Sequence, residues 1–209
     1  TPLAVLRAQL EAVQDGVRSA DPAHVAAMLR QVLALSKLID ELYALARADV
    51  GALDCRREPL DLWLLADEEA QSFAGRLHTA ALVLDIGAAP SSARVLADPD
   101  RMRQVLRNLF ENSLRYTSAP GRVQLSARVA DGQIALIIDD SAPGVPDAAL
   151  DRLGERFYRV DASRSRAGGG AGLGLALCTR LAEAQGGRLA FAHSPTGGLR
   201  VTLTFGLQP

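Results

Sequence analysis

The chain has 209 residues, a formal net charge of -1, 48% hydrophobic and 22% charged residues, the balance of an ordinary folded globular protein. The near-neutral charge excludes the broad basic footprint of a nucleic-acid binder, so any anion site must be local. No apolar run approaches the roughly 18 residues of a membrane helix and no signal peptide is evident, so a soluble, cytoplasmic chain is expected.

From the start, Thr1-Pro2 suits a helix entry, and Leu3, Leu6, Leu10, Val13 and Val17 follow at spacings of three and four. This predicts an amphipathic helix ending around Asp15-Gly16. Asp21 and Pro22 cap and open a second, longer helix, whose positions Val25, Met28, Val32, Leu35, Ile39 and Leu42 keep the same alternation. Leu29, Leu33, Leu38 and Leu45 widen that seam. Two helices cannot bury so much apolar surface, so the expectation is a hairpin that pairs with a second copy in a four-helix bundle. The competing reading packs the hairpin on its own domain.

Gly51 to Arg57 is a polar connection, and the pattern changes after it. The expected division is a hairpin over 1–50, a linker over 51–57 and a second domain over 58–209. Leu62 to Leu77 reads as a helix with Trp63 in the core, and 81–86 and 93–96 as short strands. Asp98 caps a helix with Pro99 in its first turn. Val123, Leu125 and Ala127, then Ile134, Leu136 and Ile138, alternate on either side of Asp131-Gly132, a strong hairpin signal. A loop over 139–146, a short helix over 147–153, a helix over 173–185 ended by Gly186-Gly187, and a closing hairpin over 189–205 complete the reading. An antiparallel sheet with helices on one face follows, a two-layer α+β sandwich.

Three stretches carry candidate chemistry. Asn108, Glu111, Asn112 and Arg115 share one helix face: two amide oxygens for a hard cation, a carboxylate, a cation for phosphate, with the ring of Tyr116 beside them. This inventory suits a magnesium nucleotide, and the alternative is a solvated helix face. Asp140 leaves an apolar strand just before Ala142 and Gly144, where a buried carboxylate could accept a hydrogen bond from an exocyclic amine and a small residue lets a ring approach. A plain turn is the competing reading. Gly168-Gly169-Gly170-Ala171-Gly172-Leu173-Gly174 runs into a helix, freeing backbone N–H groups to meet phosphates, or else serves as a linker. Phe157-Tyr158 precedes Arg159, Arg164 and Arg166, a pattern that suits a nucleotide lid. Cys55 and Cys178 form no C-x-x-C pair and are expected to be inert.

In this order, Asn-x-x-x-Asn, Asp-x-x-x-Gly, Phe-Tyr and Gly-x-Gly behind a helical hairpin resemble the cytoplasmic part of a bacterial sensor histidine kinase. Asp-Ser-Ala-Pro-Gly-Val and Ala-His-Ser-Pro-x-Gly-Gly look like the envelope-stress type. The resemblance covers essentially the whole chain and implies the Bergerat ATP-binding fold, with ATP and Mg2+ as cofactors. It implies that Asn108 and Asn112 belong to the magnesium site, that Glu111 assists phosphoryl transfer, that Arg115 contacts phosphate and that Tyr116 lines the adenine pocket. Asp140 would take the adenine amine. Ala142, Gly144, Gly168, Gly170, Gly172, Leu173 and Gly174 would shape the pocket and lid, and Phe157 would anchor the lid.

Arg115 departs from the commoner lysine, and Ala142 from a usual glycine. The phosphoacceptor motif is His-Glu-x-x-Thr-Pro, whose Thr-Pro matches Thr1-Pro2, so the histidine would lie four residues before Thr1. His24, His78 and His193 are read as structural or surface residues. Thr1 matches a position that aids dephosphorylation of the regulator. The expected function is a kinase fragment that binds Mg-ATP without autophosphorylating, partnered by a second copy and a response regulator, with no nucleic acid and with membrane contact only through upstream segments. The alternatives are a nucleotide-independent dimerisation and docking module, or a Bergerat-type ATPase.

Overall fold

Asp21 and Pro22 open a helix for the reason their chemistry gives. In the computed structural model, which describes residues 2–49, 55–160 and 171–208, α1 spans Pro2–Gln14 and α2 spans Pro22–Asp49. The Asp21 carboxylate accepts the His24 backbone N–H at 2.7 Å, satisfying a donor that every helix start leaves unpaired. The hairpin's apolar side chains divide. Leu45 is buried in the main core, whereas Leu3, Leu10, Val25, Leu29, Val32, Ile39 and Leu42 are exposed.

After the connection, Arg56 donates its backbone N–H to Asp98 Oδ2 at 2.8 Å, and the Arg57 guanidinium donates to the Ala184 carbonyl at 2.5 Å. Strand β1 (Glu58–Asp61) follows, an element absent from the sequence reading. Four residues that include a proline and show no alternation give no strand signal. It pairs antiparallel with β3 (Arg94–Ala97) as a separate two-stranded sheet.

Helix α3 (Leu62–Thr79) is capped by Asp61, which accepts from the Leu64 N–H at 2.9 Å, and buries Trp63, Phe73 and Leu77. Strand β2 (Leu82–Ile86) leads through β3 to α4 (Pro99–Tyr116), where Asp98 accepts from the N–H groups of Asp100 and Arg101. Strands β4 (Gly121–Ala130) and β5 (Gln133–Ser141) turn at Asp131 and Gly132, both at positive φ as a type I′ hairpin needs. The remaining elements are α5 (Asp147–Leu150), α6 (Gly174–Glu183), β6 (Arg188–His193) and β7 (Gly197–Gly206).

The main sheet has the order β2-β4-β5-β7-β6. It is mixed, because β2 and β4 run parallel while the other pairs are antiparallel. The wholly antiparallel expectation fails here: β3 and α4 form a crossover that returns the chain to the end where β2 began. A second correction concerns Asp139 to Ser141, expected in a loop. They remain in β5, paired with β7 across an irregularity between Asp139 and Ser141. The helix expected over 147–153 shrinks to the single turn of α5.

Leu106, Leu109 and Phe110 of α4 pack with Leu125, Ile134, Leu136, Val201 and Leu203 in one buried layer. The Phe73 and Phe110 rings lie 5.6 Å apart. The result is a two-layer α+β sandwich behind a helical hairpin.

Candidate functional site

Burial of Leu106, Leu109 and Phe110 fixes the rotation of α4 about its axis. Asn108, Glu111 and Asn112 are therefore half-buried along its flank, and Arg115 and Tyr116 are exposed at its end. The amphipathic helix does the positioning expected of it. Glu111 carries an ion pair to Arg76 of α3 at 2.9 Å.

The hairpin faces the same flank. A groove of about 630 Å³ runs between α2 and α4, lined by Lys37 and Glu41 on one side and by Gln104, Asn108 and Glu111 on the other. Burial there raises the Glu41 carboxyl above its usual range, opposed by the charges of Lys37 and Arg115. The ion-pair partner of Glu41 is Lys37, one turn earlier on α2, at 3.9 Å.

At the end of β5, two neighbouring carboxylates meet different fates. Asp139 is buried and held by both arms of Arg200, at 2.9 and 2.8 Å. Asp140 is also buried, and it makes no ion pair among the described residues. It accepts the Leu199 N–H at 2.7 Å. Burial pushes its carboxyl up to about 6, with Asp139 adding to the rise and the Leu199 N–H and the Ser113 hydroxyl opposing it. Around it the backbone comes close: a Cβ at Gly198 would overlap the Asp140 carboxylate, and one at Gly144 would stand 2.9 Å from the Gly197 carbonyl oxygen. Ala142 is exposed, and its carbonyl accepts the Ser118 N–H at 3.0 Å.

The glycine-rich stretch is tied at its base. Phe157 donates its N–H to the Gly172 carbonyl at 2.9 Å. Gly172 adopts φ +72°, with a Cβ there only 2.8 Å from the Tyr158 carbonyl oxygen, so the close approach demands glycine. The Phe157 ring, expected to anchor the lid, is 62% exposed. Tyr158 packs against the core instead, with the Arg152 guanidinium 4.2 Å over its ring. Phe157 contributes its backbone because a positive φ swings its side chain outward. Arg159 Nε and Nη2 are buried and find no hydrogen-bond partner among the described residues. Leu173 is fully buried and Gly174 begins α6, with open space where its Cβ would lie. Thr1, Gly168 and Gly170, with Arg164 and Arg166, lie outside the described residues.

Residues 97–209 match the model of the histidine kinase-, DNA gyrase B-, and HSP90-like ATPase family. The chain belongs to that family.

Within this ATPase family, the chain is 47% identical over 208 residues to the signal transduction histidine-protein kinase BaeS of Escherichia coli (strain K12), covering 100% of this chain and 44% of that protein. It is 31% identical over 194 residues to the sensor protein SrrB of Staphylococcus aureus (strain N315), covering 90% of this chain and 33% of SrrB. The chain thus spans less than half the length of these curated relatives. Among solved structures, the histidine kinase AdeS of Acinetobacter baumannii superposes with a TM-score of 0.81 at 27% identity, covering 100% of this chain and 96% of that one. A histidine kinase ThkA solved in complex with the response regulator protein TrrA reaches 0.77 at 15% identity, covering 100% of this chain and 58% of that one, a likeness of fold.

The family's nucleotide chemistry fits the donors on the α4 flank. Among the described residues there is no cluster of three or more His, Cys, Asp or Glu side chains able to hold a metal. Two amide oxygens suit Mg2+, which keeps several waters and takes much of its coordination from substrate phosphates. The sequence reading missed Ser113 and Gly198, both against Asp140. A serine inside the apolar stripe of α4 was the available signal for the first. The second is visible only once β5 and β7 are paired. His193 behaves as expected, bound through Nε2 to Asp147 at 2.6 Å on the surface. No described helix is long and apolar enough to cross a membrane.

Proposed function

We propose that this chain binds Mg-ATP beside α4 and forms the dimerising and catalytic part of a sensor histidine kinase. The observation that carries this reading is Asp140, a carboxylate buried at the end of a strand without an ion pair among the described residues, framed by glycines at which a side chain would not fit. Its oxygens would accept the adenine amine, with Tyr116, Ala142, Gly144 and Leu173 lining the pocket.

Asn108 and Asn112 would hold Mg2+, whose charge would offset that of the phosphates. Arg115 would contact phosphate, and Glu111 would assist transfer. The segment between Phe157 and Gly172, closed at its base, would lie over the nucleotide, with Gly168, Gly170 and Gly174 offering backbone N–H groups. Arg159, whose buried Nε and Nη2 find no hydrogen-bond partner among the described residues, would meet phosphate as well.

In the whole protein, the same reading makes 1–50 the hairpin of a homodimer, 51–57 a linker and 58–209 the ATP-binding domain. The γ-phosphoryl group would pass to a histidine four residues before Thr1 and then to an aspartate of a response regulator, with Thr1 placed to aid the reverse step. The exposed apolar seam of the hairpin supports the second copy, and the ThkA complex with TrrA supports the regulator. The same reading makes the chain a cytoplasmic portion of a membrane sensor, and the similarity to BaeS, a signal transduction histidine-protein kinase, supports its kinase part. Calorimetry tests the site: Asn112→Ala and Asp140→Ala are expected to abolish magnesium-dependent ATP binding, and unchanged affinity in both would overturn the reading.

A further inference from the structure

The turn between β6 and β7 reaches back to the strand end that carries Asp140. There the pairing of β5 with β7 slips: Asp139 stands opposite Arg200 and Ser141 opposite Gly197, so Gly198 and Leu199 together face Asp140. A bulge of this kind interrupts the ladder and re-aims the side chain beside it. Side chains take over the bonding. Asp140 Oδ1 accepts the Leu199 N–H at 2.7 Å, and the Asp140 backbone carbonyl accepts the Thr196 hydroxyl at 2.8 Å. Carboxylate and peptide are thus both held from the same side. The Thr196 hydroxyl is itself aimed, because Ser194 Oγ lies 2.7 Å from it and accepts the Thr196 N–H at 3.2 Å. Thr196 has one hydroxyl proton and a carbonyl can only accept, so that proton goes to Asp140, and Ser194 supplies its own proton to Thr196 Oγ1. Ser194 is buried, and its backbone closes the turn by bonding the Gly197 N–H and the Gly198 carbonyl.

We infer that Thr196, backed by Ser194, is a positioning residue for the carboxylate that reads the base: its hydroxyl fixes the Asp140 peptide, and through it the direction in which the carboxylate meets an exocyclic amine. The inference rests on the proposed role of Asp140 and adds two residues that act through it. A hydrogen bond weakens steeply as its angle departs from linear, so a carboxylate on a loose peptide would hold the amine less well. The proposed magnesium and phosphate contacts come from α4 and the glycine-rich segment, so a fault in this turn falls on recognition of the base. Thr196→Ser keeps the hydroxyl, whereas Thr196→Val keeps the shape without it.

The test compares, by calorimetry on the whole chain with Mg2+, the affinities for ATP and for purine riboside triphosphate, which lacks only the exocyclic amine. Their ratio is the gain that the amine confers. Thr196→Val is expected to lose about three- to tenfold of that gain, the worth of one hydrogen bond, while affinity for the amine-free analogue stays unchanged. Thr196→Ser is expected to keep the gain, and Ser194→Ala to lose a smaller part of it. A merely structural role would weaken both ligands together and would overturn the inference, as would a full amine gain in Thr196→Val. If wild type binds the two ligands equally, the reading of Asp140 itself falls and this inference with it. If wild type shows the gain and Thr196→Val retains it, the reading of Asp140 stands and the inference alone falls. Should Thr196→Val fail to fold, Ser194→Ala decides: a reduced amine gain at unchanged analogue affinity supports the inference, and an intact gain overturns it.

Discussion

The hairpin and the sandwich use apolar residues in opposite ways. In the sandwich, Met102, Leu106 and Phe110 are fully buried. In the hairpin, Leu29, Leu33 and Ile39 on the same kind of helical spacing are more than half exposed. Periodicity therefore says which residues share a face, and the partner decides whether that face yields stability. Since hydrophobic stabilisation follows the apolar area removed from water, the single chain holds its stability in the sandwich and leaves the hairpin seam exposed. Phe110→Ala is the largest effect expected, about 3–5 kcal/mol, because it empties a site packed against Phe73. Denaturant unfolding followed by Trp63 fluorescence measures it, and a cost below about 1 kcal/mol would erase the contrast.

Asp140 sharpens the comparison within the sandwich, where burial of charge opposes stability. Its carboxyl is raised from 3.8 to about 6 in the folded chain. A raised value means that the folded state holds the proton more tightly than the unfolded one. Its contribution is therefore complete below about pH 4 and is lost as pH rises to about 6, roughly 3 kcal/mol in all. Asp140→Asn is expected to remove this pH dependence and to leave the unliganded domain at least as stable at pH 7.5. Adenine-nucleotide affinity in the wild type should fall as pH drops through 6, since the amine needs the ionised acceptor. Thermal melts from pH 4 to 8 with a parallel ATP titration check both. A wild-type profile flat across that window would remove the argument.

The hairpin gives the next effect. Leu29→Ala is expected to leave the sandwich transition within about 0.5 kcal/mol. Self-association, measured by sedimentation, should weaken by about 1.5–3 kcal/mol for each copy if the seam covers a second hairpin. A domain transition that moves with Leu29 would mean that the hairpin is packed on its own domain.

What the sequence disclosed follows local chemistry. Asp21, Asp98 and Asp131-Gly132 place two helix starts and a hairpin from side-chain capping and positive φ, and these interactions reach only a few residues. The Asn108 to Arg115 face was legible for the same reason, since one helix carries it. Strand β1 and the parallel pairing of β2 were not, because each depends on a neighbour distant in sequence. The frame of Asp140 was half legible. The carboxylate stood out beside Gly144, while Ser113, Gly198 and Leu199 join it only through the packing of α4 and the β5–β7 register. The exposure of the Phe157 ring was not legible, because its positive-φ backbone conformation sets it.

The smallest expected effect lies inside the sandwich, at the ion pair between Arg76 of α3 and Glu111 of α4. Both side chains are partly exposed, at 53% and 34%, so solvent screens their attraction and the entropy of holding two long side chains offsets much of it. A double-mutant cycle of Arg76→Ala and Glu111→Gln should give a coupling of about 0.2–1 kcal/mol, shrinking further in high salt. Arg76→Ala alone will cost more than the coupling, because Arg76 also lies 4.9 Å over the Phe73 ring. A weak coupling is what a working Glu111 requires: a carboxylate tied into the framework by several kcal/mol could not turn toward a phosphoryl acceptor when nucleotide arrives. A coupling above about 2 kcal/mol would instead make Glu111 part of the rigid sandwich and count against its proposed part in transfer.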